Sequence, residues 1–298
     1  MRRRDFMALA AAAPPTQTIG LGFSLYAFRQ WPLEKAIRLC AAIGYDGVEL
    51  CLNPGWPAQP SRLGKTDRAT LRDLLRHLKL GVPSLMEQLT LSVPEAAHQP
   101  NLARLRAAMN LAHDIAPTNP PLIETVLGGK AGDWDNVRER MADRLADWAG
   151  SAAELKTVIA IKAHVGGAAD TPDKLNWLLG QIRSKWIRAV YDFSHFELAG
   201  LDAASTVKAL APHTAFVHVK DAEGSPAKYN FLLAGEGRTT TPELLRHLKA
   251  SGYRGFIVPE VSSQLQTKPG YDAEAAARKC FANLTRMFKA AGIARPKR

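Results

Sequence analysis

The sequence predicts a single-domain α/β protein folded as a (β/α)8 TIM barrel, and three observations support this prediction. The chain has 298 residues, 46% of them hydrophobic and 22% charged, which is an ordinary globular composition and a length that suits one barrel of about 250 residues. Eight short runs rich in apolar and β-branched residues follow one another about 34 residues apart on average. Between the runs, apolar residues recur three and four positions apart, which indicates amphipathic helices.

Strands and helices are predicted to alternate eight times along the chain. Such alternation gives parallel strands joined by right-handed crossovers, and eight units close into a barrel. An open doubly wound sheet is the alternative, but no glycine-rich phosphate-binding turn follows the first run, which ends in Ser24-Leu25-Tyr26. The predicted strands are 18–26, 47–52, 82–89, 121–128, 157–164, 187–196, 214–221 and 255–261.

Turn residues support the predicted helix boundaries. Gly44 and Gly252 follow helical patterns, at positions where a left-handed backbone ends a helix. Proline suits the first helical turn, and threonine suits the N-cap. The residues predicted to start helices are the prolines Pro32, Pro172 and Pro242 and the threonines Thr66, Thr171 and Thr241.

The net charge of +11 is concentrated at the chain ends, since residues 1–15 carry +2 and residues 272–298 carry +5. No basic stripe with interleaved aromatic residues follows, so we expect no nucleic-acid partner. No run approaches the roughly 18 apolar residues of a membrane span. The three cysteines are odd in number and lack metal-type spacing, which argues against a disulfide framework and a zinc ribbon.

The first residues resemble an export address. Arg2-Arg3-Arg4-Asp5-Phe6-Met7 precedes a short apolar stretch and small residues, as in a twin-arginine signal. We therefore expect residues 1–15 to be a signal or a tail outside the fold, residues 16–298 to form the barrel, and the protein to act in the periplasm. The alternative is a cytoplasmic protein with a basic N-terminus.

Polar residues cluster at the carboxyl ends of the predicted strands, where TIM-barrel active sites lie. Burying several carboxylates together is unfavourable unless a metal ion or a cationic lysine neutralises them. Asp192, His218 and Glu260 end the last three strands, and one imidazole with two carboxylates suits Mn²⁺, Mg²⁺, Zn²⁺ or Fe²⁺. The other polar strand-end residues are Tyr26, Glu49, Glu87, Glu124, Lys162, His164, His195, Lys220 and Asp221.

Several segments resemble the sugar phosphate isomerase/epimerase family of the xylose-isomerase-like TIM barrels. These segments are Gly44–Glu49, Tyr191–His195, His218–Asp221, Gly235–Gly237 and Gly252–Glu260. The resemblance spans about residues 18–290. It implies a divalent metal held by Asp192, His218 and Glu260 together with a glutamate on the fifth strand, and it implies that His195 contacts the substrate.

The fifth strand departs from that family pattern, because Lys162 stands where the glutamate is expected. Three protein ligands with water and substrate could hold the metal, or Glu124 or His164 could compensate. The Lys162 ammonium could instead replace the metal as the electrophile, or it could form a salt bridge with Asp192 in a degenerate site. A positive charge beside the ligands disfavours a metal ion, so we expect weak divalent-metal affinity.

The resemblance implies a carbohydrate isomerase or epimerase that abstracts a proton next to a carbonyl. Such chemistry needs a base near the C–H group and a cation near the oxygen. We expect Glu260 to be the general base and a metal or Lys162 to be the electrophile. The expected substrate-binding residues are His195, Lys220, Glu49, Glu124 and His164.

Other functions stay open at this point. A keto-sugar lyase or hydratase would use the same barrel, and a non-catalytic sugar-binding barrel is the rival from another class. An apurinic endonuclease would need more strand-end histidines. The expected partner is a small carbohydrate, and the chain is compatible with an oligomer.

Overall fold

Residues 18–297, which the computed structural model of the protein describes, contain eight parallel strands that close into a barrel, as predicted. Each of β1 to β6 pairs with the next strand, β7 pairs with β10, and β10 closes the circle on β1. The strands are β1 (Gly20–Ser24), β2 (Gly47–Cys51), β3 (Ser84–Met86), β4 (Leu122–Val126), β5 (Ile159–Lys162), β6 (Ile187–Asp192), β7 (Thr214–Val219), β8 (Asp221–Ser225), β9 (Lys228–Leu232) and β10 (Phe256–Pro259).

Helices follow the barrel strands and surround them. They are α1 (Leu33–Ile43), α2 (Lys65–His77), α3 (Glu95–Ile115), α4 (Trp134–Glu154), α5 (Pro172–Ile182), α6 (Phe193–Leu198), α7 (Ala203–Leu210), α8 (Pro242–Ala250), α9 (Ser263–Gln266) and α10 (Ala273–Ala290). Two short 3-10 turns, Leu25–Phe28 and Pro60–Arg62, lie in the loops. No helix of residues 18–297 combines the length and the apolar character that a membrane crossing requires.

The predicted helix starts are confirmed for two threonines and wrong for one. Thr171 and Thr241 cap α5 and α8 through their hydroxyl oxygens. Thr66 caps nothing, because α2 begins at Lys65 and Thr66 falls in its first turn. The Asp67 carboxylate accepts the Gly64 N–H at 2.9 Å, so the N-cap is Gly64, two residues earlier than predicted.

Side chains inside the barrel change from apolar to charged toward its carboxyl end. Ala160, Val190, Phe216 and Val258 form a buried apolar layer across the barrel. Below it, the Phe256 ring fills the amino-terminal end, and a Cβ at Gly47 would come within 2.7 Å of that ring, so only glycine fits there. The next inward positions on β5, β6, β7 and β10 carry charged or imidazole groups. The apolar floor thus closes the barrel below the polar mouth.

An antiparallel hairpin, β8–β9, interrupts the seventh βα unit, between β7 and α8. Strand β7 therefore ends at Val219, before the end of the predicted strand 214–221, and Asp221 begins β8 instead. Gly224 has a φ of +105°, and a Cβ there would lie 2.2 Å from the Lys228 carbonyl oxygen, so this tight turn requires glycine. The hairpin carries Phe231 to the mouth of the barrel.

A large depression lies away from this mouth. It has a volume of about 1120 Å³ and is lined at the amino-terminal end by the starts of several strands, including Leu122 and Phe256. Its charged residues, such as Arg72, Arg76 and Arg188, lie at the surface rather than in the barrel interior. The buried charged groups lie at the carboxyl end instead. Residues 1–15, for which an export signal is predicted, lie outside the described residues.

Candidate active site

Nine polar side chains predicted at strand ends meet inside the carboxyl-terminal mouth of the barrel. Strand alternation sends every second side chain toward the barrel axis, and the register sets their heights, with Asp192 opposite His218 and His218 opposite Val258. The nine side chains supply four carboxylates, two ammonium groups and three imidazoles, and we call this set the central cluster. Its members are Glu49, Glu124, Lys162, His164, Asp192, His195, His218, Lys220 and Glu260.

Lys162 lies at the centre of this cluster. Its Nζ atom is 2.9 Å from Glu124 Oε1, 3.2 Å from Glu260 Oε2 and 3.1 Å from His218 Nδ1. Burial lowers the pKa of Lys162, but the carboxylates of Glu124 and Glu260 outweigh burial and raise it above its usual range. Lys162 is therefore a buried ammonium that joins two carboxylates from different strands.

His218 connects Lys162 to a second buried carboxylate. Its Nδ1 accepts from Lys162, which leaves the ring proton on Nε2, 2.9 Å from Glu49 Oε2. Ser84 donates its hydroxyl to the other Glu49 oxygen at 2.7 Å. Glu49 and Glu124 are fully buried and contact His218 and Lys162. This geometry favours a positioning role for them over the direct substrate contact expected from the sequence.

Lys220, and not Lys162, is the direct partner of Asp192. The Lys220 ammonium donates to Asp192 Oδ2 and lies 2.9 Å from Glu260 Oε2. Ser194 donates its hydroxyl and its N–H to Asp192 Oδ1 at 2.6 and 3.2 Å. Of the alternatives that the sequence left open for Lys162, a direct salt bridge with Asp192 is therefore not the one found, since Lys162 pairs with Glu124 and Glu260 instead. Lys162 stands opposite Val190, one inward position below Asp192, whereas Lys220 lies one inward position above His218.

Two imidazoles and a phenyl ring pack together at the mouth, beside Asp192 and Lys220. The His164 and His195 ring centroids are 4.1 Å apart, and Phe231 of β9 lies 5.4 Å from His195. Burial lowers the pKa of His195 well below its usual range and lowers that of His164 to about 4. His195 Nδ1 accepts the Val165 N–H at 3.3 Å, so its proton is on Nε2, 3.3 Å from Asp192 Oδ2. Both rings are neutral near pH 7.

Phe231 is a site residue that sequence reasoning missed. It also lies under Lys220, whose Nζ is 5.0 Å from the ring centroid, as in a cation–π contact. The signal that could have found it is the alternation of Tyr229 and Phe231 after Gly224 and Pro226, which is typical of a hairpin.

Two polar strand-end residues serve the scaffold instead. The Asp221 carboxylate accepts the N–H groups of Gly235, Thr239 and Thr240 at 2.5, 2.6 and 2.7 Å, so it holds the loop that follows the hairpin. Glu87 pairs with Arg104. Burial raises the pKa of Glu87 to about 7, although Arg104 lowers it. Neither belongs to the central cluster.

Glu260 is the carboxylate of the central cluster that solvent reaches most readily. It is 7% exposed, compared with 1% or less for Glu49, Glu124 and Asp192, so it is the cluster carboxylate most accessible to a molecule that enters the mouth. Burial raises the pKa of Glu260, but Lys162 and Lys220 outweigh it and hold the pKa well below its usual range. Glu260 is therefore an ionised carboxylate between two ammonium groups.

The predicted metal ligands lie together but do not fit a divalent ion in this arrangement. Ligand atoms of Asp192, His218 and Glu260 all lie within 4.8 Å of one another. However, Lys220 occupies the facing oxygens of Asp192 and Glu260, and Lys162 occupies Glu260 Oε2 and His218 Nδ1. An ion about 2.1 Å from these atoms would lie against both ammonium groups. The two lysines thus take the donor atoms that a metal would need.

Similarity to known proteins agrees with the fold. A family model described as the xylose isomerase-like TIM barrel matches residues 37–284. The rhizopine catabolism protein MocC of Rhizobium meliloti is 25% identical over 171 residues, which cover 52% of this chain and 51% of that protein. The chain therefore spans about half the length of this curated relative.

Three solved structures share the fold over almost the whole chain. A xylose isomerase domain protein from Alicyclobacillus acidocaldarius has a TM-score of 0.75 at 19% identity and covers 92% of this chain and 99% of its own. The 3-keto-D-glucoside 4-epimerase of E. coli has a TM-score of 0.71 at 16% identity, with 90% and 99% covered. An IOLI protein with a bound zinc atom has a TM-score of 0.74 at 15% identity, with 92% and 98% covered.

Proposed function

This chain belongs to the xylose isomerase-like TIM barrel family, and we propose that it is a carbohydrate isomerase or epimerase that abstracts a proton next to the carbonyl of a keto-sugar. The E. coli structural neighbour is a 3-keto-D-glucoside 4-epimerase, which supports a sugar substrate. The observation on which the proposal depends is the position of Glu260, the carboxylate nearest the solvent, between the ammonium groups of Lys162 and Lys220.

Proton abstraction needs a base and a positive charge at neighbouring points. We assign the base to Glu260, whose carboxylate takes the proton from the carbon next to the carbonyl while the C–H electron pair moves into the new C=C bond. Negative charge then develops on the carbonyl oxygen. The ammonium N–H groups of Lys162 and Lys220 stabilise this oxygen by charge-assisted hydrogen bonds in a water-poor site.

The lysines also change how strongly Glu260 binds a proton. In the free protein both ammonium groups contact Glu260 Oε2, and this contact favours the ionised carboxylate. A substrate oxygen that accepts hydrogen bonds from either lysine weakens that contact, because it competes for the same N–H groups. We infer that substrate binding raises the basicity of Glu260 when the proton must be taken.

The remaining members of the central cluster hold these groups in place. Glu124 and His218 contact the Lys162 ammonium, and Glu49 holds His218. Asp192 orients Lys220 and His195. His195 and His164 lie beside Asp192 as a pair of neutral imidazoles, and we propose that they donate or accept hydrogen bonds with sugar hydroxyl groups.

Two other functions are each favoured by one observation. Lys162 replaces the expected fifth-strand glutamate, which leaves Glu260 as the one cluster carboxylate near solvent among residues 18–297. A single base favours isomerisation, or elimination or hydration of a keto-sugar, over epimerisation with two opposed bases. Pairing of Glu260 with two cations in the free protein favours a non-catalytic sugar-binding barrel.

Proton exchange with solvent separates these functions. We would incubate the protein with a panel of keto-sugars in D2O and follow the carbon-bound protons by NMR. The proposal predicts loss of the signal next to the carbonyl and, for an isomerase or epimerase, a product of unchanged mass apart from deuterium. A product lighter or heavier by one water indicates a lyase or a hydratase. Binding without exchange for every sugar bound would contradict the proposal.

A further inference from the structure

A second cavity opens at the same mouth, beside the central cluster. It has a volume of about 500 Å³, within the range of small-molecule pockets. One side comes from the loop after β1, and the other from the segment that follows β10. We call it the outer groove, and define it by Tyr26, Arg29, Trp31, Trp56, Lys268 and Tyr271.

Tyr26 and Ser263 form the boundary between the outer groove and Glu260. Tyr26 also lines the groove, and burial raises the pKa of its phenol, with a smaller contribution from the Glu260 carboxylate. Ser263 follows Glu260 by three residues and lines the groove. A molecule in the groove would therefore lie next to the group that we propose as the base.

The aromatic side chains of the groove are held in fixed positions. The Trp56 ring stacks on Tyr26, with centroids 5.2 Å apart and planes 11° apart, and its Nε1 donates to the Tyr26 carbonyl at 3.2 Å. The Arg29 guanidinium lies 4.5 Å from the Trp56 ring centroid. Tyr271 donates its hydroxyl to the Ala27 carbonyl at 3.4 Å. Trp31, Trp56 and Tyr271 stay partly exposed.

The chemistry of this lining matches that of a sugar ring. A pyranose has faces of C–H groups, which pack on aromatic rings, and edges of hydroxyl groups, which exchange hydrogen bonds with polar side chains. Gln30, Thr267 and Lys268 supply such groups around the aromatic residues. No acidic residue lines the groove among residues 18–297, so its charged groups, Arg29 and Lys268, can only donate hydrogen bonds to sugar oxygens.

From this arrangement we propose that the outer groove binds a second pyranose ring, so that the protein acts on a glycoside or disaccharide rather than on a free monosaccharide. The reacting unit would lie next to Glu260, and the unit linked to it would lie in the outer groove. This inference rests on the proposed function for the identity of the inner ligand, while the groove itself can be tested by binding alone.

The test compares disaccharides with their monosaccharide unit on the full-chain protein. We would measure the affinities of cellobiose, maltose and D-glucose by isothermal titration calorimetry, together with the tryptophan fluorescence. We expect at least one disaccharide to bind about tenfold more tightly than glucose, as one additional ring–aromatic contact would give. Its binding should also shift the tryptophan emission.

Variants in the groove provide the second half of the test. Tyr271→Leu and Trp31→Leu should each weaken disaccharide binding about tenfold and leave glucose binding within about twofold. Two variants are needed because Trp31 also packs on Phe28. Trp186→Leu, a tryptophan outside the groove that lies near Lys185, is the matched control and should change neither affinity.

Some results would overturn the inference. These are equal affinities for the disaccharides and glucose, or groove variants that weaken both kinds of ligand equally. Disaccharide binding without any proton exchange would contradict the proposed function and leave the outer groove intact. Proton exchange on free keto-monosaccharides, without a preference for disaccharides, would support the proposed function and contradict the role of the outer groove.

Discussion

The Lys162 ammonium on β5 lies 3.2 Å from Glu260 Oε2 after β10, although 98 positions separate the two residues in the chain. The same carboxylate oxygen is 2.9 Å from Lys220 Nζ. Two cations therefore converge on the carboxylate that is nearest to solvent. This arrangement combines a proton acceptor with the charge needed to stabilise an enediolate, using side chains of the barrel itself.

Lys162→Met tests the electrophilic role of the ammonium. Methionine keeps most of the length of the side chain but removes the positive charge, so we expect the rate of proton exchange to fall by about 100-fold or more, as when one oxyanion donor is lost. The matched control Lys208→Met, on exposed α7, should leave the rate unchanged. A rate near that of the wild type in a folded Lys162→Met protein would place Lys162 outside the chemistry.

The same change should also lower stability. Removing Lys162 leaves Glu124 and Glu260 without one of their cations in a buried site, which costs about 3–5 kcal/mol when an ion pair is broken from one side. Urea unfolding followed by circular dichroism measures this loss. An unchanged midpoint would mean that the two carboxylates are stabilised without Lys162.

Lys162→Glu should convert the cluster into a metal site. It removes one of the two ammonium groups that occupy ligand atoms and restores a carboxylate at the position where the family resemblance expects one. We expect Mn²⁺ affinity, measured by calorimetry, to rise by at least about tenfold over the wild type. Lys65→Glu, at the surface start of α2, controls for added negative charge. Equal Mn²⁺ affinities in wild type and Lys162→Glu would contradict this explanation.

Glu87 should make stability depend on pH. Burial raises its pKa to about 7 in the folded state, above its value in the unfolded chain, so the folded state binds the proton more tightly. Protonated Glu87 therefore contributes to the free energy of unfolding. This contribution, up to about 3 kcal/mol, is fully present below about pH 4.5 and is lost as the pH rises through about 7. In Glu87→Gln this fall should be absent.

Urea unfolding between pH 4.5 and 7.5 measures the difference between wild type and Glu87→Gln. As the pH rises, the free energy of unfolding of the wild type should fall relative to that of Glu87→Gln. Glu139 is an exposed residue of α4, and the free energy of unfolding of Glu139→Gln should depend on pH in the same way as that of the wild type. A constant difference across this range would show that Glu87 titrates normally.

The amino-terminal arginines should direct export. We propose that residues 1–15 act as a twin-arginine signal, so replacing Arg3 and Arg4 by lysine should reduce the periplasmic fraction while the purified protein keeps its folding midpoint. Cell fractionation and immunoblotting measure the distribution. An unchanged distribution would favour a basic tail on a cytoplasmic protein.

The repeating strand pattern was sufficient to predict the barrel, because buried parallel strands leave apolar runs that the sequence displays directly. The same rule placed Asp192, His218 and Glu260 at one mouth, as the register of β6, β7 and β10 shows. Register also explains what could not be predicted. A shift of one inward position decides that Asp192 pairs with Lys220 rather than with Lys162, and spacing along the sequence does not specify this.

Other features depended on tertiary contacts with little local signal. Phe231 reaches the mouth only because the β8–β9 hairpin turns back at Gly224. Trp56 becomes a groove residue because it stacks on Tyr26 across 30 positions of sequence. Thr66 was predicted to be an N-cap from its type, but Asp67 satisfies the start of α2 instead.

The central claim is that ammonium groups provide the positive charge beside Glu260, and the most direct test is proton exchange before and after metal removal. Purified protein would be treated exhaustively with a chelator, its metal content measured by mass spectrometry, and deuterium incorporation into a responsive keto-sugar followed by NMR. We expect the exchange rate of the metal-depleted protein to stay within about twofold of the untreated rate, because Lys162 and Lys220 remain in place. Loss of exchange on chelation with full recovery on adding Mn²⁺ or Zn²⁺ would contradict it.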